Sequence, residues 1–145
     1  MITVLLVDDD LGDIELIEIA LEETKVQLEM EVARNGVEAM SYLHEQLDKP
    51  EPNLPDLILL DLNMPQMDGR EVLEKIRAHD GLRHLPVVIL TTSEADEDVL
   101  KSYRIGANAY VTKPIGLDGL TKIVQLLEEF WFTIVRLPPK NAPKR

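Results

Sequence analysis

The chain has no cysteine, a single tryptophan and two phenylalanines, and its positive charge is scarce. Without cysteine, a disulfide scaffold, a thiolate zinc site and a cysteine nucleophile are all excluded. Lys and Arg total 15 against 27 for Asp and Glu, a formal net charge of −12. Such a surface is a poor match for the phosphates of nucleic acids and for an anionic membrane face, so neither is expected as a partner. The three histidines, His44, His79 and His84, lack the i, i+4 spacing of a helical metal pair. The N-terminus runs into a short apolar strand, with neither the basic region of a secretory signal nor an apolar stretch of membrane-spanning length. What is present is 145 residues, 45% hydrophobic and 29% charged, the balance of one globular domain rather than a disordered chain. A soluble, acidic, cytoplasmic domain is expected.

Three short apolar runs punctuate the chain: Thr3-Val4-Leu5-Leu6-Val7, Leu57-Ile58-Leu59-Leu60 and Val87-Val88-Ile89-Leu90. Runs apolar on both faces read as strands covered by helices above and below. Leu28, Met30 and Val32 alternate with Glu29 and Glu31, the pattern of a half-exposed edge strand, and Ala109-Tyr110-Val111 reads as a short fifth strand. Between them lie helical patterns: Ile14, Ile17, Ala20 and Leu21; Val37, Met40, Leu43 and Leu47, capped by Asn35; Val72, Leu73 and Ile76, opened by Asp68 and Glu71; Val99, Leu100 and Tyr103, opened by Ser93 and Asp96 and stopped at Gly106; and Leu117 through Leu120, Ile123, Val124 and Leu127 toward Phe130. Pro50, Pro52 and Pro55 enforce an extended loop before the second apolar run. Strict strand–helix alternation predicts an α/β fold, a parallel sheet with helices on both faces.

In such folds ligands gather at the carboxyl ends of the strands. The polar residues stand there: Asp8 and Asp9, Asp61, Thr91 and Lys113. If the first and third of the predicted strands are neighbours, Asp8, Asp9 and Asp61 converge, and three close carboxylates repel unless a cation neutralises them. An all-oxygen cluster without His or Cys favours a hard cation, Mg²⁺ with Mn²⁺ as its substitute, and the Asn63 backbone carbonyl stands where it can add a ligand. A carboxylate in this setting can be a nucleophile that forms an acyl phosphate, while Lys113 and Thr91 offer a positive charge and a hydroxyl to phosphoryl oxygens. Taken singly, Asp61 also reads as a turn residue, Lys113 as a solvated lysine, Thr91 as a helix cap and Tyr110 as core.

Asp8-Asp9, Asp61-Leu62-Asn63-Met64-Pro65 with Asp68-Gly69, Thr91, and Tyr110-Val111-Thr112-Lys113-Pro114 together resemble the receiver domain of bacterial two-component response regulators, over about residues 2 to 128. The resemblance implies a five-stranded, doubly wound, flavodoxin-like parallel sheet of order 2-1-3-4-5 with five helices. It implies Asp61 as phosphoacceptor, Asp8 and Asp9 as the metal-binding pair with Asp61 and the Asn63 carbonyl, and Lys113 as partner of the phosphoryl group beside a cis Lys113–Pro114 peptide. Thr91 and Tyr110 match the family's switch pair, and Asp10 extends the acidic pair as a possible cap of the first helix. A sensor histidine kinase is the implied partner, and no enzyme activity is expected beyond the chain's own phosphorylation and dephosphorylation. A flavodoxin-like flavin carrier would want a phosphate loop where Asp8-Asp9-Asp10 stands. A haloacid-dehalogenase-like phosphatase would want a second aspartate where Asn63 stands.

The receiver, with a helical C-terminal extension, is expected over residues 1–137 and a disordered tail over 138–145. The remaining length is too short for a DNA-binding module, so action by protein contact, as a stand-alone regulator or relay intermediate, is expected. The proline-rich segment from Asp48 to Pro55 and the extension from Phe130 to Pro138 resemble the small response regulators paired with phytochrome-type histidine kinases. Phe130, Trp131 and Phe132 are half of the six aromatic residues. On a helix they would span about 200° of surface. With Ile134 they are expected to form a homodimer interface, the alternative being that the segment folds back over its own core.

Overall fold

The computed structural model describes residues 1–23, 27–114 and 117–139. The elements, in chain order, are β1 (Ile2–Val7), α1 (Leu11–Glu22), β2 (Leu28–Ala33), α2 (Gly36–Leu47), β3 (Leu57–Leu60), α3 (Gly69–Ala78), β4 (Val87–Thr91), α4 (Asp96–Ile105), β5 (Ala109–Thr112) and α5 (Leu117–Glu129), followed by a π-helical turn, Phe130–Ile134. The strands form one sheet of order β2-β1-β3-β4-β5, and every neighbouring pair is parallel. This is the expected doubly wound fold and strand order.

The period-2 alternation of a strand sorts each apolar run between two cores. Val4, Leu6, Leu57, Leu59, Val88 and Leu90 face α1 and α5, where they meet Ile14, Ile17, Leu21, Leu120 and Val124. Leu5, Val7, Ile58, Leu60, Val87 and Ile89 face the other way, onto Met40, Leu43, Val72, Leu73 and Ile76 of α2 and α3. The apolar runs of the three central strands are therefore buried on both faces, whereas the edge strand β2 is partly exposed.

The helix starts are set by short polar side chains. Asp10 accepts from the Asp13 amide, Asn35 from Glu38, and Asp68 from Arg70 and Glu71. α4 departs from expectation. Its N-cap is Ala95, whose side chain has no acceptor; the Ser93 hydroxyl, two residues earlier, donates to Asp98 at 2.6 Å and accepts from the Ala95 amide at 3.4 Å. Leu100 and Tyr103 are about half exposed, and the residue α4 buries is Ser102. Gly106 ends α4 at φ 129°, a backbone region costly for any residue with a Cβ.

The proline-rich loop is anchored at both ends. Buried Gln46 accepts from the Asn53 amide at 3.3 Å, and buried Asp56 accepts from the Thr3 amide at 2.9 Å. At the C-terminus the helix widens into the π-helical turn, closed by the Val135 amide on the Phe130 carbonyl at 2.8 Å. Trp131 and Phe132 pack against the core under α1 and α5, whereas Phe130 and Ile134 are exposed. The aromatic run is thus divided between its own core and the surface. Of the expected tail, Pro138 and Pro139 line a small crevice with Leu54, Pro55, His84 and Pro86. Residues 140–145 lie outside the described residues.

Candidate functional site

The carboxyl ends of β1, β3, β4 and β5 meet along one edge of the sheet, and each delivers a polar residue at the point where its apolar run stops. β1 pairs with β3 with Val7 beside Leu60, so Asp8 and Asp61, the next residue of each chain segment, emerge side by side. Carboxylate oxygens of Asp8, Asp9 and Asp61 lie within 4.8 Å of one another, with Asp8 and Asp61 buried and Asp9 exposed. The Lys113 ammonium, from the end of β5, enters this group. It donates to Asp8 Oδ2 at 2.6 Å, Asp13 Oδ2 at 3.0 Å and Asp61 Oδ2 at 3.3 Å. Asp61 Oδ1 accepts from the Asn63 amide at 3.3 Å, so both oxygens of the Asp61 carboxylate are held.

Charge explains why these groups tolerate burial. Desolvation alone would lower the Lys113 pKa, but its hydrogen bond to Asp8 and the charges of Asp61 and Asp8 raise it well above the ordinary lysine value. Asp8 is pushed up by burial, against the pull of Lys113 and the Asp10 amide. One ammonium among four carboxylates leaves the site net negative, which suits a divalent cation. The donor set, oxygen only and partly open at Asp9, fits Mg²⁺ or Mn²⁺, which Asp8, Asp9 and Asp61 would hold.

The expected residues Asp8, Asp9, Asp61 and Lys113 are brought together. Asn63 adjoins them through its amide. Thr91 is fully buried at the end of β4, and its hydroxyl is the one buried side-chain polar atom among the described residues without a hydrogen-bond partner. An orphaned donor costs free energy unless a group arrives to accept it. Tyr110 donates its hydroxyl to the Ser93 carbonyl at 2.9 Å, bridging β5 to the loop that follows Thr91. Phe130, Trp131, Phe132 and Ile134 belong to the segment beyond α5, apart from this cluster. The Lys113–Pro114 peptide is trans, as are all peptide bonds among the described residues. The trans form is favoured for an X–Pro bond unless tertiary contacts impose the other isomer.

Two contributors went unrecognised in the sequence. Asp13 stands in the first turn of α1, and because helical side chains tilt toward the N-terminus its carboxylate swings back over the strand ends to Lys113. Gly69 is the other: a Cβ there would sit 2.1 Å from the Asp61 carbonyl oxygen, so only glycine lets α3 start against the backbone of Asp61.

The profile of the response regulator receiver domain matches residues 4–125. Response regulator Rcp1 of Synechocystis is 42% identical over 135 residues, 93% of this chain and 92% of its own length. The crystal structure of the Mn²⁺-bound form of Rcp1 superposes with a TM-score of 0.89 at 41% identity, covering 96% of this chain and all of that one. The phosphorylated cyanobacterial phytochrome response regulator RcpA gives the same TM-score at 43% identity, covering 94% of this chain and 98% of its own.

Proposed function

The chain belongs to the response regulator receiver family, whose members accept a phosphoryl group from a histidine kinase on an aspartate, and on that premise we propose that Asp61 is the acceptor here. The observation that carries this reading is the convergence on Asp61 of the Lys113 ammonium, 3.3 Å from its Oδ2, with the Asp8 and Asp9 carboxylates. The Asp61 carboxylate, oriented by Lys113 and the Asn63 amide, attacks phosphorus as the bond to the kinase histidine breaks, leaving an acyl phosphate. Asp8, Asp9 and Asp61 would hold a divalent cation, which when bound would neutralise phosphoryl charge. Lys113 stays protonated throughout and faces the added oxygens. Thr91, with its hydroxyl unpartnered, is the donor that the new phosphoryl oxygen recruits, and Tyr110 follows through the loop at Ser93. The output is a shift between two populations, read by partner proteins.

The chain's extent matches that of Rcp1, and the likeness to RcpA supports a phytochrome-type kinase as partner. Action by contact, without nucleic acid, is the output proposed, and the formal net charge of −12 supports it. No described helix is long and apolar enough to cross a membrane. Catalysis is confined to the chain's own phosphorylation and dephosphorylation. A homodimer is part of the proposal, through Phe130 and Ile134 and the shallow apolar depression formed by Val111, Ile123, Leu126, Phe130 and Trp131. Asn63 in place of a second acid, and Asp8–Asp10 in place of a phosphate loop, disfavour the phosphatase and flavin-carrier alternatives. The test is phosphotransfer from an autophosphorylated phytochrome-type kinase. Label should pass to this chain only with Mg²⁺ or Mn²⁺ and be released by hydroxylamine. Transfer that survives a chelator would contradict the assignment.

A further inference from the structure

α4 is weakly fastened to the rest of the fold. It buries Ser102, leaves Leu100 and Tyr103 about half exposed, and begins without a side-chain cap. Ile105 packs against the core at its far end, and a polar cluster holds its first turn. Asp98, in the first turn of α4, accepts at one carboxylate oxygen from the Ser93 hydroxyl at 2.6 Å and at the other from the Arg70 guanidinium. Arg70 belongs to the first turn of α3, whose start at Gly69 rests on the backbone of Asp61. Ser93 lies two residues beyond Thr91, and its carbonyl accepts the Tyr110 hydroxyl at 2.9 Å. One loop residue is therefore tied through its side chain to α4, through Asp98 to α3, and through its backbone to the tyrosine of β5.

The ion pair is not a solvated rim contact: the side chains of Arg70 and Asp98 are 18% and 21% exposed. Charge-assisted bonds at both oxygens of one carboxylate fix orientation as well as distance. The hydrogen bonds from Ser93 and then Arg70 hold the Asp98 carboxyl below the ordinary aspartate value, so it is ionised at neutral pH.

We propose that Asp98, held by Arg70, is a positioning residue of the phosphorylation switch: by fixing Ser93 it sets the arrangement in which Tyr110 is engaged with the β4–α4 loop before any phosphoryl group arrives. The inference rests on the reading of Thr91 and Tyr110 as the switch pair of Asp61. Because the Arg70–Asp98–Ser93 cluster biases the loop in the unphosphorylated chain, it limits how much further phosphorylation can shift it. Weakening the cluster releases Tyr110 in the resting state, and the phosphoryl group, acting through Thr91, draws it back. The variants should therefore show a larger phosphorylation-dependent change than the wild type.

The test uses the full chain with ring-¹³C tyrosine, followed by NMR with and without acetyl phosphate and Mg²⁺, while intact mass reports phosphoryl uptake. In the unphosphorylated Asp98→Asn, Arg70→Gln and Ser93→Ala variants, the Tyr110 resonances should move toward a solvent-exposed position, with the released population raised roughly tenfold, the scale of one lost charge-assisted bond. The Tyr42 resonances should stay in place, which a general loosening would not allow. The charge-exchanged variant, Arg70→Asp with Asp98→Arg, should restore the Tyr110 position, because the Ser93 hydroxyl can accept as well as donate. Tyr110 resonances unchanged in both Asp98→Asn and Ser93→Ala would overturn the positioning role. Tyr110 shifts as expected in a protein that takes up no phosphoryl group would uphold that role and overturn the reading of Asp61 instead.

Discussion

Lys113 shows how a single side chain governs the site. Its ammonium compensates two buried carboxylates, Asp8 and Asp61, as well as Asp13. Removing one partner of a buried pair leaves the other charge stranded, at a cost of about 3–5 kcal/mol. Lys113→Ala is therefore expected to lose stability of that order in urea unfolding when a chelator is present, and to regain much of it in Mg²⁺, which takes over the neutralisation. A variant equally stable with and without chelator would contradict the electrostatic account. Tyr42 gives a second prediction at this scale. Burial first, then the charges of Glu31 and Glu29, raise its pKa from 10.0 to about 12. The unfolded chain gives up that proton first, so the folded state binds more protons and stability should fall as pH rises from about 10 toward 12. Spectrophotometric titration of tyrosinate should find Tyr42 ionising near pH 12. Glu31→Gln should lower that value only in part, because burial is the larger cause.

Among elements, the strands and helices were legible in the sequence, α4 included from Asp96 to its stop at Gly106, but the buried face of α4 was not. β1, β3 and β4 carry uninterrupted apolar runs that a sheet buried on both faces requires, and Asn35 and Asp68 announce their helices. Val99, Leu100 and Tyr103 have a helix's spacing, but spacing cannot tell which face meets the core at the margin of a sheet; there Ser102 is buried instead. Ser93 has the chemistry of a cap but lies two residues ahead of the N-cap position, where its hydroxyl serves Asp98 and the Ala95 amide. Arg77 is the other element-scale feature hidden from sequence. From the last turn of α3 it donates to the carbonyls of Arg83, Leu85 and Gly106 and to Asn108 Oδ1, joining α3 to the approaches of β4 and β5. Its planar fork makes these bonds in four directions, which a lysine cannot reproduce. Arg77→Lys should therefore destabilise almost as much as Arg77→Ala, about 2–4 kcal/mol in denaturant unfolding. A lysine variant with wild-type stability would mean that charge alone suffices.

On the scale of the whole molecule, the acidic cluster and the proposed assembly surface occupy separate regions. Phosphoryl chemistry sits at the carboxyl ends of the strands, while the aromatic extension lies beyond the end of α5. The sequence placed the polar residues at the strand ends and the aromatic run beyond α5, but not the division within that run, since the π-helical turn directs Trp131 and Phe132 inward and leaves Phe130 and Ile134 outside. Phe130→Ser with Ile134→Ser should convert the dimer to monomer in light scattering at little cost in stability. Trp131→Ser should instead cost about 1–3 kcal/mol, because it uncovers the core beneath α5. A wild-type protein that is monomeric at high micromolar concentration would contradict the assembly. Phosphoryl acceptance in this molecule stands on Asp61. Intact-mass measurement after acetyl phosphate and Mg²⁺, followed by peptide mapping, tests it most directly: one phosphoryl group is predicted, on Asp61, absent in Asp61→Asn and strongly reduced in Asp9→Asn. Full uptake by Asp61→Asn, or a phosphoryl group mapped to any other residue, would contradict it.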